Sequence, residues 1–234
     1  NGGNISYNIT DAIDNQIRTM NAISEKYELP QTMENLKNNF FIVTGTGCRM
    51  RYVHSDPMNN AAIIRISADG TYYEIIAEKN IKPTSELPSH LLIHNVILGK
   101  GRKIKTVIHT HPIELVAMTH NPDFLGKDVL SKLLWSMIPE TRAFCPKGVG
   151  IVPYALPGSM ELAQKTVEQL DDYDVVLWEK HGALAIGEDI IEAFDMIDTL
   201  TKSAKIYESA CSMGFKPKGM SDEQMDELKR VFNL

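Results

Sequence analysis

A chain of 234 residues, 43% of them hydrophobic, has room for one large core or two small ones; nothing in its composition forces a split, so one domain spanning residues 1–234 is expected. Its 24 Lys and Arg against 30 Asp and Glu leave a net charge of −6 with no basic run that could track a phosphate backbone, which argues against nucleic acid as a partner. No apolar stretch approaches the roughly 18–20 residues of a membrane span, and Cys48, Cys145 and Cys211, odd in number and outside any CxxC pair, suggest neither a disulfide framework nor a zinc ribbon, so a reducing cytoplasm is expected.

The chain opens on Asn1-Gly2-Gly3-Asn4, turn chemistry that adopts positive φ easily and offers backbone N–H groups to an anion. Because such a turn normally joins two elements, further sequence before Asn1 is expected. Ile13, Ile17, Met20 and Ile23 recur at helical spacing ahead of the polar loop ELPQTMENLKNN, predicting a peripheral helix and a connector. FFIVTGTGC (40–48) is a β-rich run that breaks at glycines, and AAIIRIS and YYEIIAE flank ADGT, whose Asp-Gly signals a hairpin. TSELPSHLLIHNVIL changes to helical spacing, with Thr84 or Ser85 as the expected N-cap and Glu86 and Pro88 in the first turn. A strand over 104–109, helices near 112–119 and 126–137, a strand over 149–152 and a helix after Pro157-Gly158 follow. DVVLWEKHGALAIG predicts two strands around a turn, and helices over about 188–213 and 221–232 close the chain. Strands and helices interleave without a βαβ rhythm, so the expected class is mixed α/β with a largely antiparallel sheet.

Within VIHTHPIELVAM, a strand period of two turns His109 and His111 to the same face, where their ring nitrogens share reach of one small cation. A borderline-soft ion such as Zn²⁺ needs at least one more ligand and, for catalysis, an open position. His181 in EKHGAL, at the tip of a strand pair with glycine beside it, is the candidate third ligand; a satisfied rim histidine is the plainer alternative. His90 and His94 form a rival i, i+4 pair, but without the Glu of HExxH they are read as hydrated or capping side chains. His54 and His120 read as loop residues.

Glu86 in the first turn of a helix is favoured by the helix dipole whatever its function. Together with the hydroxyls of Thr84 and Ser85, it also describes a place where a phosphate is held beside a base. The glycine-broken TGTG at 44–47 could add further N–H groups, although alone it reads as a turn.

NGGN, FIVTGTG, TSELPSH, IHTHP, GVGIVP with the later PGS, and VLWEKHG, in this order and spacing, resemble the zinc-dependent class II aldolases of sugar phosphates from residue 1 to about 213. The resemblance implies an α/β class II aldolase-like single domain, its central mainly antiparallel sheet flanked by helices. It implies one Zn²⁺ per subunit held by His109, His111 and His181. It implies Glu86 as the acid/base that completes the resting zinc shell, and Asn1, Asn4, Thr46, Gly47, Thr84 and Ser85 as the phosphate grip, with Thr46 where the family commonly has Ser. Glu140, in WSMIPETRAF, matches an acidic residue that in one branch reaches into the neighbouring subunit's site, which implies a homotetramer with interfacial active sites. The implied reaction is reversible retro-aldol cleavage of a ketose phosphate, with Zn²⁺ spreading the charge of an enediolate and no lysine Schiff base. L-Fuculose-1-phosphate aldolases and pentulose-5-phosphate 4-epimerases are the alternatives within the fold. Adducin-like interaction modules, expected to lack the metal histidines, are the alternative outside catalysis.

Overall fold

The structure is a computed structural model that describes residues 2–76 and 78–232. In chain order its elements are β1 (Asn4–Asn8), the single turn α1 (Asn15–Arg18), β2 (Tyr27–Glu28), β3 (Phe40–Thr44), the single turns α2 (Met50–Val53) and α3 (Pro57–Asn60), β4 (Ala61–Ile66), β5 (Tyr72–Ile75), α4 (Leu87–Gly99) and β6 (Thr106–Thr110). There follow α5 (Ile113–Met118), α6 (Val129–Met137), α7 (Pro139–Phe144), β7 (Gly150–Val152), α8 (Met160–Gln169), β8 (Val175–Trp178), β9 (Gly182–Gly187), α9 (Ile190–Ser212) and α10 (Asp222–Phe232). Among the described residues the strands form one nine-stranded sheet in the order β2-β5-β4-β3-β1-β6-β9-β8-β7. β1 pairs antiparallel with both β3 and β6, and β8 pairs antiparallel with β9, whereas β7 and β8 run parallel, so the sheet is mixed and mainly antiparallel as expected.

The backbone gathers into two compact units. The first comprises residues 1–109, 155–167 and 186–190. Its core is the apolar face of β3, β4 and β5, with Phe41, Val43, Ile64, Ile66 and Ile75 fully buried, each contributing about 1.5–3 kcal/mol by removal from water. The β4–β5 hairpin forms where Asp-Gly predicts it. Asp69 accepts hydrogen bonds from the Ser67 and Thr71 hydroxyls, which hold its carboxyl at a pKa of about 2. Gly70 has φ +78°, and a Cβ there would sit 2.9 Å from the Met33 carbonyl oxygen, so only glycine fits. The second unit comprises residues 110–154, 168–185 and 191–234, with Leu115, Leu130, Leu134, Leu177 and Leu184 in its core.

Three local expectations are corrected. The apolar spacing of Ile13, Ile17 and Met20 produces one turn, capped by Asp14 through a 2.9 Å bond from the Ile17 N–H, and these side chains pack irregularly against Ile9, Phe40 and Ile76. α4 takes its N-cap at Glu86, two residues later than Thr84, with Pro88 in the first turn. Finally, Asn4, the last residue of the expected Asn1–Asn4 turn, begins β1, a strand that hydrophobic alternation does not announce because its buried positions are the polar Asn4 and Ser6.

Candidate active site

β6 enters the sheet as an apolar run, Val107 and Ile108 being buried, and its period of two delivers His109, fully buried, and His111, exposed just beyond the strand end. His181 stands in the turn from β8 to β9. That turn closes through a 3.0 Å bond from the His181 N–H to the Trp178 carbonyl and places Lys180 at φ +61°. The Lys180 N–H donates to Thr119 Oγ1 over 2.8 Å, and the buried Thr119 hydroxyl itself donates to the Val116 carbonyl, so the end of α5 fixes the turn. The His181 ring lies 5.1 Å from the buried Trp178 ring and 5.3 Å from His111.

His109, His111 and His181 each offer a ring nitrogen, and these atoms all lie within 4.8 Å of one another. Metal–nitrogen bonds of about 2.0–2.1 Å can close that span after small ring rotations. Burial lowers the pKa of His181, favouring the neutral imidazole that ligates. The donor set therefore fits one borderline divalent cation, and the group predicted from the HxH spacing and the later His-Gly is brought together.

Glu86, 7% exposed, stands at the N-terminus of α4, where the helix dipole favours a carboxylate. Its Oε2 lies 3.7 Å from His109 Nε2 and accepts a 3.0 Å hydrogen bond from Asn4 Nδ2. Asn4 pairs with His109 across the β1–β6 ladder, which places these side chains together. The other end of the Asn4 amide, Oδ1, lies 2.6 Å from His90 Nε2. Ser6 Oγ lies 2.8 Å from His90 Nδ1 and 2.9 Å from His94 Nε2. His90 and His94, expected to be hydrated or capping, are instead buried at 0% and 2% exposure, because α4 is covered on every side over its first turns. Desolvation drives the pKa of each down to about 3, so both rings are neutral near pH 7.

Four of the six phosphate-grip candidates, Thr46, Gly47, Thr84 and Ser85, lie side by side. The Thr84 N–H donates to the Thr44 carbonyl, Gly45 bridges Pro83, and the Thr46 N–H donates to the Lys82 carbonyl. This short ladder sets exposed Thr46 and Gly47 beside buried Thr84 and exposed Ser85. Gly47 has φ +71°, with open space where a Cβ would stand. Two of the backbone donors are thus spent on the ladder, which shifts any anion-binding role toward the hydroxyls. The Asn4 side chain is committed to Glu86 and His90, and Asn1 lies outside the described residues. Glu140 is exposed in the first turn of α7. The sequence reading missed Ser6, Thr119 and the buried role of His90 and His94; the available signal was an apolar surround on every face of the His90–His94 helix.

Comparison with known proteins gives a consistent likeness. The family described as Class II Aldolase and Adducin N-terminal domain matches residues 1–207. A rhamnulose-1-phosphate aldolase of Bacteroides thetaiotaomicron is 55% identical over 234 residues, covering 100% of this chain and 87% of the relative. One from Klebsiella pneumoniae is 34% identical over 238 residues, covering 100% and 86%. The crystal structure of a sugar-phosphate aldolase from Thermotoga maritima superposes with a TM-score of 0.75 at 34% identity, over 94% of this chain and 89% of that one.

Proposed function

The chain belongs to the class II aldolase and adducin family, and from that premise we propose that it cleaves L-rhamnulose 1-phosphate reversibly to dihydroxyacetone phosphate and L-lactaldehyde. The observation that carries the reading is a three-imidazole group whose buried member, His109, has the Glu86 carboxylate 3.7 Å away. An interaction module has no need of that arrangement, since burying a carboxylate costs free energy even when hydrogen bonds offset part of it, and such groups gather at functional sites.

His109, His111 and His181 hold the cation, for which three imidazoles favour Zn²⁺, one per subunit. When bound, it supplies the Lewis acidity that offsets negative charge developing on the substrate's oxygens. In cleavage the C4 hydroxyl gives its proton to water, the C3–C4 electron pair moves toward the ketone, and Glu86, having taken up a proton from water, delivers it to C3 and returns to the carboxylate; in synthesis each proton moves the opposite way, Glu86 removing that of C3 from dihydroxyacetone phosphate. Thr46, Gly47, Thr84 and Ser85 grip the phosphate, with the N-terminus of α4 contributing its positive end. Binding energy from that remote group holds the reacting carbons in place. Glu140 acts on a neighbouring copy's site in a cytoplasmic homotetramer, and the family match, which runs unbroken over residues 1–207, supports treating the two compact units as one catalytic domain.

The synthesis direction tests the reading. Zinc-loaded protein given dihydroxyacetone phosphate and L-lactaldehyde is expected to make L-rhamnulose 1-phosphate, identified by NMR. Formation of the L-fuculose epimer alone would transfer the assignment to that sibling, and no condensation at all would overturn it.

A further inference from the structure

We infer that Ser6, His90 and His94 are positioning residues for Glu86, forming with Asn4 a one-way chain of hydrogen-bond donors that ends on, and orients, the Glu86 carboxylate. The chain lies wholly within the first compact unit, and its meaning rests on the reading that Glu86 moves the proton at C3.

The polarity follows from elementary donor and acceptor capacity. A carboxylate oxygen only accepts, so the Asn4 end 3.0 Å from Glu86 Oε2 is the amide Nδ2, and Oδ1 is turned toward His90. An amide oxygen only accepts, so His90 Nε2, 2.6 Å away, carries hydrogen. In a neutral ring Nδ1 is then an acceptor, and the Ser6 hydroxyl donates to it over 2.8 Å. Having spent its hydrogen, Ser6 Oγ accepts from His94 Nε2 at 2.9 Å. Every hydrogen from His94 to Asn4 therefore points toward Glu86. Bonds aligned head to tail polarise one another, and while Glu86 is ionised the arrangement admits no alternative tautomer without setting two acceptors face to face.

This assigns the Asn4 side chain to the carboxylate rather than to the phosphate. It also explains why polar Asn4 and Ser6 occupy inward positions on a central strand and why two neutral histidines lie on an otherwise apolar stretch of α4. A carboxylate that must hand a proton to one carbon needs a fixed direction of approach, and Glu86 has a long, flexible side chain. Anchoring Oε2 supplies that direction.

Two measurements on the full-length protein test the inference. First, zinc-free protein with ¹⁵N-labelled histidine, its resonances assigned by single replacements, is expected to show His90 and His94 as neutral Nε2–H tautomers at pH 7.5. An Nδ1–H tautomer for His90, or a doubly protonated ring at either position, would overturn the chain. Second, His90→Asn removes the donor at the Nε2 position, while His90→Gln places an amide N–H there. In zinc-loaded protein His90→Asn is expected to lower kcat between about ten- and a hundredfold, the usual effect of removing an orienting partner. KM for the sugar phosphate should stay within twofold, zinc content should not change, and His90→Gln should recover most of the rate. Equal losses in both variants, or no loss in either, would reduce the network to packing. Should His90→Asn not fold, the tautomers of the unaltered protein decide. If the unaltered protein shows the expected tautomers but cleaves no sugar phosphate, the failure belongs to the proposed activity and not to the chain.

Discussion

Glu86 and His109 meet because one sits at the start of a helix and the other near the end of a strand whose neighbour, β1, carries Asn4, in register with His109 and bonded through its amide to Glu86. Replacing Glu86 by Gln keeps the shape and removes the proton carrier. The expected outcome is a fall in kcat of about 10²–10⁴, the range spanned by general acid–base catalysis, with zinc content unchanged by elemental analysis; a variant within threefold of the original rate would remove Glu86 from the chemistry. The buried histidines make a separate prediction about stability. Their folded pKa of about 3 lies below the unfolded value near 6.5, so below pH 6.5 the unfolded chain takes up protons that the fold excludes. The stability they confer is complete above that pH and drains as pH falls toward 3. The slope is about 1.4 kcal/mol per pH unit for each ring. Urea unfolding of zinc-free protein from pH 7.5 to 5 is expected to show a loss of about 1–3 kcal/mol per unit at the acid end, and a flat profile would mean that these rings are hydrated after all.

At the scale of elements, the hairpin at Asp69-Gly70 and the HxH strand were legible because both depend on local periodicity and turn chemistry. β1 was not: Asn4–Asn8 buries Asn4 and Ser6, so the alternation that marks a strand is written in polar residues. α4 misled in a related way, since a helix covered on all sides has no polar stripe to report which histidines face water. The meeting of His181 with His109 and His111 was open to suspicion only, because it depends on where the β8–β9 turn falls, a long-range matter that no local pattern encodes. One side chain that helps to hold that turn is Thr119. Thr119→Val leaves the Lys180 N–H without its 2.8 Å acceptor, an omission that costs about 1–3 kcal/mol when buried. The expected result is zinc affinity weakened by about ten- to a hundredfold with the fold retained by circular dichroism. Unchanged affinity in a chelator competition would show that His181 is held by other means.

For the whole molecule, the family, the sheet and the cluster of chemical groups converge on a sugar-phosphate lyase. The proposal that four copies assemble and that Glu140 serves a neighbour's site predicts a particle of four chains by light scattering and a Glu140→Gln variant that slows turnover while leaving assembly intact. A monomer with full activity would contradict both. Cleavage is measured by a coupled assay for dihydroxyacetone phosphate, with L-rhamnulose 1-phosphate, L-fuculose 1-phosphate and L-ribulose 5-phosphate run side by side and EDTA as the control. Rapid release is expected from the first substrate, little or none from the other two, and loss of release on chelation. Release that survives chelation, or none from L-rhamnulose 1-phosphate while zinc stays bound, would contradict the proposed function.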